Sequence, residues 1–207
     1  MTACAFGPLT IAFDERVLEP RPWTVAQSTW AVELSRDLAP GPILELCAGA
    51  GHIGLLAAVQ SGRAIVQVDA DPSACAFAAE NARAAGVHER VDIRCARLDD
   101  ALHADESFPL VLADPPYLRS DDTNRFPRDP LLAVDGGVDG LEVIRAVLAT
   151  VEAHLAPGGA CLLQLAGPAQ VVEVAALIER EQRSLVLESQ RVIDGERAVA
   201  LLRTNPR

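Results

Sequence analysis

Glu45-Leu46-Cys47-Ala48-Gly49-Ala50-Gly51-His52-Ile53-Gly54 continues the short apolar run that begins at Ile43, and its spacing governs how the rest of the chain is read. A brief β-branched and leucine-rich run that breaks into glycines reads as a strand turning into a helix. Gly49 and Gly51 allow the backbone to approach a ligand closely, and the free N–H groups of the next helix's first turn face the same crevice. Gly49, Gly51 and Gly54 also meet the G-x-G-x-x-G spacing. Several nucleotide-type ligands share that pattern, so spacing alone does not choose among them.

Outward from this loop, short apolar runs alternate with longer amphipathic stretches, the pattern of βαβ units on a mostly parallel sheet. Strands are expected at Ile43–Cys47, Ala64–Asp69, Val91–Cys95, Leu110–Ala113, Ala160–Leu165, Ser184–Val192 and Ala198–Arg203. Asp194-Gly195-Glu196 is turn-like and separates the last two, so the sheet should end in an antiparallel hairpin. Asp71-Pro72 opens a helix running to about Ala85, with Asp71 as N-cap and Gly86 at the C′ position. Other helices are expected over Gly140–Leu155, stopped by Pro157-Gly158-Gly159, and over Val25–Leu38, behind the extended Glu19-Pro20-Arg21-Pro22. The fold class is therefore α/β. Residues 1–41 form an extended lead-in segment and helix packed on the core, and residues 42–207 a single Rossmann-like domain with helices on both faces. Leu118–Gly140 lacks periodicity and is rich in Asp, Arg, Pro and Gly, which makes it a functional loop and a candidate lid.

Composition narrows the function. Half of the 207 residues are hydrophobic, enough for one real core, while 18 Lys+Arg against 29 Asp+Glu give a net charge of −11. That balance disfavours a non-specific nucleic-acid binder, which needs clustered cations. No apolar run approaches the roughly 20 residues that span a bilayer. Met1–Thr10 lacks the basic start and apolar core of a signal peptide, so a cytoplasmic location is expected. Cys4, Cys47, Cys75, Cys95 and Cys161 are scattered without a C-x-x-C pair, and His88, His103 and His154 lack partners at ligand spacing, so no metal is expected. His52, in the first turn after the loop, is either a ligand contact or a neutral helix-start side chain. Trp23, Trp30 and Phe126 divide between substrate mouth and core.

Two acids choose among the nucleotide-type ligands. The strand Ile65-Val66-Gln67-Val68 ends in Asp69, an acceptor-only carboxylate that suits a ribose diol. Glu45 lies four residues before Gly49, where a carboxylate can meet loop N–H groups or a cationic amino-acid ammonium. A dinucleotide's two phosphates gain nothing from such a neighbour. The chain also has no lysine and no hydride-transfer constellation. S-adenosylmethionine is the expected cofactor, with NAD as the minor alternative.

The fourth strand runs into Asp114-Pro115-Pro116-Tyr117. Two prolines remove two backbone donors and fix φ, leaving rigidly aimed carbonyls at the carboxyl end of a central strand, where open α/β sheets bind ligands. A planar amide or base amine is a poor nucleophile because its lone pair is delocalised. An Asp114 side chain and a Pro115 carbonyl that accept its two N–H groups would orient it towards an electrophilic methyl, with Tyr117 packed on the planar group. Asp114, Pro115, Pro116 and Tyr117 are the candidate catalytic residues.

The glycine loop, Asp69 and Asp114-Pro115-Pro116-Tyr117 together resemble a class I S-adenosylmethionine-dependent methyltransferase acting on nitrogen. Val17-Leu18-Glu19-Pro20-Arg21-Pro22-Trp23-Thr24 and Pro130-Leu131-Leu132-Ala133-Val134-Asp135-Gly136-Gly137-Val138-Asp139-Gly140-Leu141 are similar to the flanking motifs of the HemK-type family, which methylates the glutamine amide of peptide-chain release factors. The resemblance implies a seven-stranded sheet with an antiparallel last strand. It assigns Glu45, Cys47, Ala48, Gly49, Ala50, Gly51, Asp69, Ala70, Leu98 and Asp114 to the cofactor, and Arg21, Thr24, Asp114, Pro115 and Tyr117 to the substrate. A protein acceptor is expected ahead of a nucleic acid. The short lead-in implies a form without the family's N-terminal helical domain, like the relatives that work with a small partner subunit.

Three positions depart from the pattern. Asp114 stands where release-factor enzymes carry Asn, a form common in enzymes that methylate adenine or guanine. An RNA or DNA amino group is therefore the alternative acceptor, with Arg119, Arg125 and Arg128 as its local cations, and a catalytically silent subunit that binds the cofactor is a third reading. Cys47 replaces the loop's first glycine, which requires a negative φ there. Arg97 falls where an acid often meets the adenine amine, leaving Asp99 or Asp100 for that contact.

Overall fold

The computed structural model describes residues 2–205. Its strands are β1 (Thr2–Phe6), β2 (Leu9–Phe13), β3 (Ile43–Leu46), β4 (Ile65–Asp69), β5 (Val91–Cys95), β6 (Phe108–Ala113), β7 (Leu155–Leu165), β8 (Leu185–Asp194) and β9 (Arg197–Thr204). The helices are α1 (Val25–Leu34), α2 (His52–Ser61), α3 (Pro72–Ala84), the single turn α4 (Leu131–Val134), α5 (Glu142–His154) and α6 (Gly167–Arg180). Seven strands form one sheet in the order β5-β4-β3-β6-β7-β9-β8, with β9 antiparallel to both its neighbours and β3 to β7 parallel. This is the α/β architecture with the terminal hairpin that the sequence predicts.

The central strands β3 and β6 are buried along their whole length, so both faces must be covered. Alternation along them divides the core. Leu44, Leu46, Val111 and Ala113 join α5 and α6 residues such as Ile144, Leu148 and Leu177 on one side. Ile43, Leu110 and Leu112 join Trp30, Ile53, Leu56 and Phe77 on the other. Asp71 caps α3 by accepting from Ser73 N at 2.8 Å, and Gly86 follows in the left-handed region at φ +70°. No helix among the described residues is long and apolar enough to cross a membrane.

Most boundaries fall within two residues of expectation, and three larger differences stand out. Helix α1 stops at Leu34 rather than Leu38, because the Arg63 guanidinium takes the carbonyls of Ser35, Leu38, Ala39 and Gly41. Strand β7 begins at Leu155, through the expected stop at Pro157-Gly158-Gly159. Its first residue pairs with Phe108, and the register slips before Leu110 meets Ala160, so a bulge absorbs the proline and glycines.

The third difference is the antiparallel pair β1–β2, which forms a separate two-stranded sheet where the sequence gives only a lead-in. Asn81 of α3 docks it. Its Nδ2 donates to Ala12 O (3.0 Å) and Ala50 O (2.9 Å), and its Oδ1 accepts from Ala12 N (2.8 Å). Asn81→Ala strands these backbone groups in a buried setting and is expected to cost about 2 kcal/mol. A lower urea midpoint with an unchanged m-value would check it.

Candidate active site

The glycine loop leaves β3 through a left-handed residue. Cys47 has φ +58°, so the requirement for a negative φ is overturned. The chain must reverse direction immediately after Leu46, and a non-glycine residue there costs on the order of 1–2 kcal/mol. Hydrogen bonds on both sides hold the turn: Ala48 N donates to Val68 O at 3.1 Å, and Gly49 N to Asp69 Oδ2 at 2.7 Å. Gly49 (φ +55°) has open space where a Cβ would stand, whereas a Cβ at Gly51 (φ +79°) would press on Gln67. One glycine thus faces the crevice and the other packs inward.

Glu45 is 2% exposed and bonded through both carboxylate oxygens. Its Oε1 accepts from Gly54 N at 2.9 Å and its Oε2 from Gln67 Nε2 at 2.6 Å, so it ties β3 to the first turn of α2. Gln67 also donates to Gly51 O at 2.9 Å. The β3–β4 register places Gln67 directly opposite Glu45. Burial pushes the Glu45 carboxyl up to about 7.

Asp69 braces the loop from the end of β4. Besides Gly49 N, it accepts from Asp71 N at 2.9 Å, and burial raises its pKa against these hydrogen bonds. Each carboxylate oxygen retains lone-pair capacity for a diol. Ala70 is exposed beside it. Leu98 is half-buried against the core just past β5. Arg97 pairs with Asp99 across 3.3 Å on the open surface. His52 turns away from the crevice. It is buried, stacks edge-on against Phe6 at 4.8 Å and lies 3.4 Å from Thr24 Oγ1, with burial lowering its pKa to about 3, so it stays neutral.

Asp114 follows the last residue of β6, at the carboxyl end of the sheet. No donor among the described residues bonds its carboxylate, and burial lifts its pKa to about 7 against the pull of Arg21. Tyr117 is raised by burial and by Asp114, with Arg21, Arg197 and Asp129 close enough to act on it. Arg21 donates to Asp129 Oδ2 at 2.5 Å, joining the lead-in segment to the 118–140 loop. Trp23 lies under both Arg21 (5.8 Å) and Arg197 (3.7 Å). Thr24 sits beneath this mouth, buried, its hydroxyl donating to Arg21 O at 2.8 Å. Trp30 belongs to the core, and Phe126 is exposed on the loop.

The loop itself is built. Leu118 bridges Asp135, Ser120 Oγ donates to Asp135 Oδ1 at 2.8 Å, and a 3-10 turn spans Ser120–Arg125. Sequence reasoning missed four polar residues that hold these pieces. Gln27 donates to Ala113 O and Leu162 O, fixing the strand ends beside Asp114. Gln67 braces Glu45, Gln170 bonds Tyr117 O, and Arg197 reaches in from the hairpin. Only the pairing register carries any sequence signal, and only for Gln67.

A parallel sheet closed by an antiparallel hairpin, with a glycine loop after its first strand and an acid after its second, defines the class I methyltransferase fold. The chain belongs to the family described as Conserved hypothetical protein 95, whose model matches residues 23–129. It is 37% identical over 169 residues to a release factor glutamine methyltransferase of Cereibacter sphaeroides, covering 78% of this chain and 58% of the relative. It is 31% identical over 175 residues to a ribosomal protein uL3 glutamine methyltransferase of Bradyrhizobium diazoefficiens, covering 78% and 54%. The chain thus spans about half the length of these curated relatives, and the HemK-type resemblance read from its motifs is borne out by them. The human METTL16 catalytic domain, solved with an RNA hairpin, superposes with TM-score 0.73 at 14% identity over 96% of this chain and 75% of that one. A Lactobacillus delbrueckii ribosomal protein L11 methylase superposes with TM-score 0.67 at 12% identity, covering 92% and 82%. At these identities the two structures establish the fold.

Proposed function

We propose that the chain is a cytoplasmic S-adenosylmethionine-dependent N-methyltransferase whose acceptor is the side-chain amide of a protein glutamine. The observation that carries this reading is the Asp114 carboxylate, left without an internal hydrogen-bond donor at the crevice edge and followed by a proline carbonyl that has no strand to join. Asp69 and Asp114 line a crevice whose chemistry fits a donor bearing a sulfonium and an ammonium, and the open side of Gly49 leaves room for it. When bound, S-adenosylmethionine supplies an electrophilic methyl whose carrier departs as a neutral thioether, so the transfer needs no metal. Asp114 Oδ and Pro115 O accept the two amide N–H groups and orient the nitrogen. A carboxyl near 7 is also matched to take up the proton the nitrogen releases.

A protein acceptor is favoured over RNA or DNA by charge at the mouth. The 118–140 loop carries five aspartates against three arginines. Of its cations, Arg125 already lies 3.7 Å from Glu196. Transfer of labelled methyl into a cell extract, which also supplies any small partner subunit, tests the reading. Label released by protease and mapped to methylglutamine supports it; label released by nuclease makes the acceptor a base, and no label at all overturns it.

Transfer should rise with pH through about 7, as Asp114 ionises. Stability of the cofactor-free chain should run the other way. Asp114 and Glu45 rise on folding from 3.8 and 4.5 to about 7, so their contribution is full below those lower values and is lost as pH rises through 7. Glu106 and Asp139, held near 2 by Arg94 and Arg145, lose theirs only below about pH 4. Thermal midpoints and initial rates, measured together across about pH 5 to 8, should therefore diverge, and parallel trends would count against the Asp114 assignment.

A further inference from the structure

Gln170 lies in the first turns of α6, 7% exposed, with its carboxamide in three hydrogen bonds. Oε1 accepts from Ala166 N at 2.8 Å, an ordinary way to satisfy a helix start. Nε2 has a different reach: it donates to Tyr117 O at 2.9 Å and to Gly140 O at 3.3 Å, joining the proline corner to the far end of the 118–140 loop. The neighbouring backbone leaves no slack. A Cβ at Gly140 would stand 2.7 Å from Tyr117 O, and one at Gly136 would stand 2.9 Å from Pro116 O. The Pro116 carbonyl is therefore packed against glycine and the Tyr117 carbonyl is bonded. The Pro115 carbonyl and the Asp114 carboxylate accept from no donor among the described residues, and so stay available to a ligand.

We propose that Gln170 is a positioning residue for the acceptor corner, holding the Tyr117 carbonyl so that the Pro115 carbonyl and the Asp114 carboxylate alone face the incoming amide. The proposal rests on the methyltransferase reading above. Its physical content is alignment: a displacement of the corner by about 1 Å is enough to cost on the order of 100-fold in rate without touching the cofactor.

Two substitutions separate this role from helix capping. Gln170→Glu, assayed at about pH 8.5 to ionise the new carboxyl, keeps an acceptor for Ala166 N but loses the donor. Gln170→Met removes both. Tyr117 is the chain's one tyrosine, so carbonyl-13C tyrosine labelling gives a single resonance that reports the Gln170 hydrogen bond. Both variants are expected to move that resonance and to lower kcat about 10- to 100-fold, with S-adenosylhomocysteine affinity held within about twofold. An unmoved resonance overturns the geometry. A moved resonance with unchanged kcat overturns the positioning role, as does a loss of cofactor affinity in step with kcat or an effect confined to Gln170→Met. If the unaltered chain transfers no methyl in the extract assay, the functional reading fails first and the positioning role falls with it.

Discussion

Asp114→Ala is expected to lower methyl transfer about 100- to 1,000-fold, the range in which a single proton-accepting or orienting group acts. Affinity for S-adenosylhomocysteine should fall far less than the rate, because Asp69 and the glycine loop keep their own hydrogen bonds. Asp114 has no internal hydrogen bond for the alanine to break, so the folded chain loses a half-buried carboxyl whose desolvation is already unfavourable. Stability should hold or improve slightly while activity collapses. Asp114→Asn keeps an acceptor oxygen but cannot take up a proton, so it should retain more transfer than alanine and lose the rise through about pH 7. Initial rates with labelled cofactor, beside a binding titration, decide the matter. Transfer that survives Asp114→Ala would overturn the catalytic role assigned to this corner.

The parts of this molecule that the sequence discloses are those set by local rules. The strands of the large sheet follow from short apolar runs, the cap of α3 from Asp71-Pro72, and the crevice from glycines that must enter the left-handed region. The order of the sheet came from the family resemblance rather than from any periodicity. The undisclosed parts depend on partners far along the chain. The β1–β2 pair is only five residues a side and is held by Asn81, 69 residues beyond Ala12. Gln27 meets carbonyls 86 and 135 residues away, and Gln170 meets one 53 residues back. A glutamine's sequence neighbourhood says nothing about which backbone groups its amide will satisfy. Cys47 fails for a different reason: a strong local preference against positive φ was outweighed by the geometry of the turn around it.

Gly54→Ala is expected to destabilise the chain by about 3 kcal/mol, against the direction that helix propensity gives. In the first turn of α2, alanine would ordinarily gain up to about 1 kcal/mol over glycine. Here the added methyl would overlap Glu45 Oε2 and Ile65 Cδ1. Neither neighbour can yield. Glu45 is pinned by Gly54 N and Gln67 Nε2, and Ile65 is 1% exposed in the core. Relief requires α2 to lift from the sheet, which adds over-packing strain of roughly 1–3 kcal/mol to a buried carboxyl that loses its backbone donor. The thermal midpoint should fall by roughly 6–12 °C. Glu45→Ala in the same background removes one of the two clashing groups, so the double variant should be less destabilised than the sum of the singles. Additive losses would mean that Glu45 does not pack under Gly54, and would remove the physical reason for a glycine at the third position of the loop.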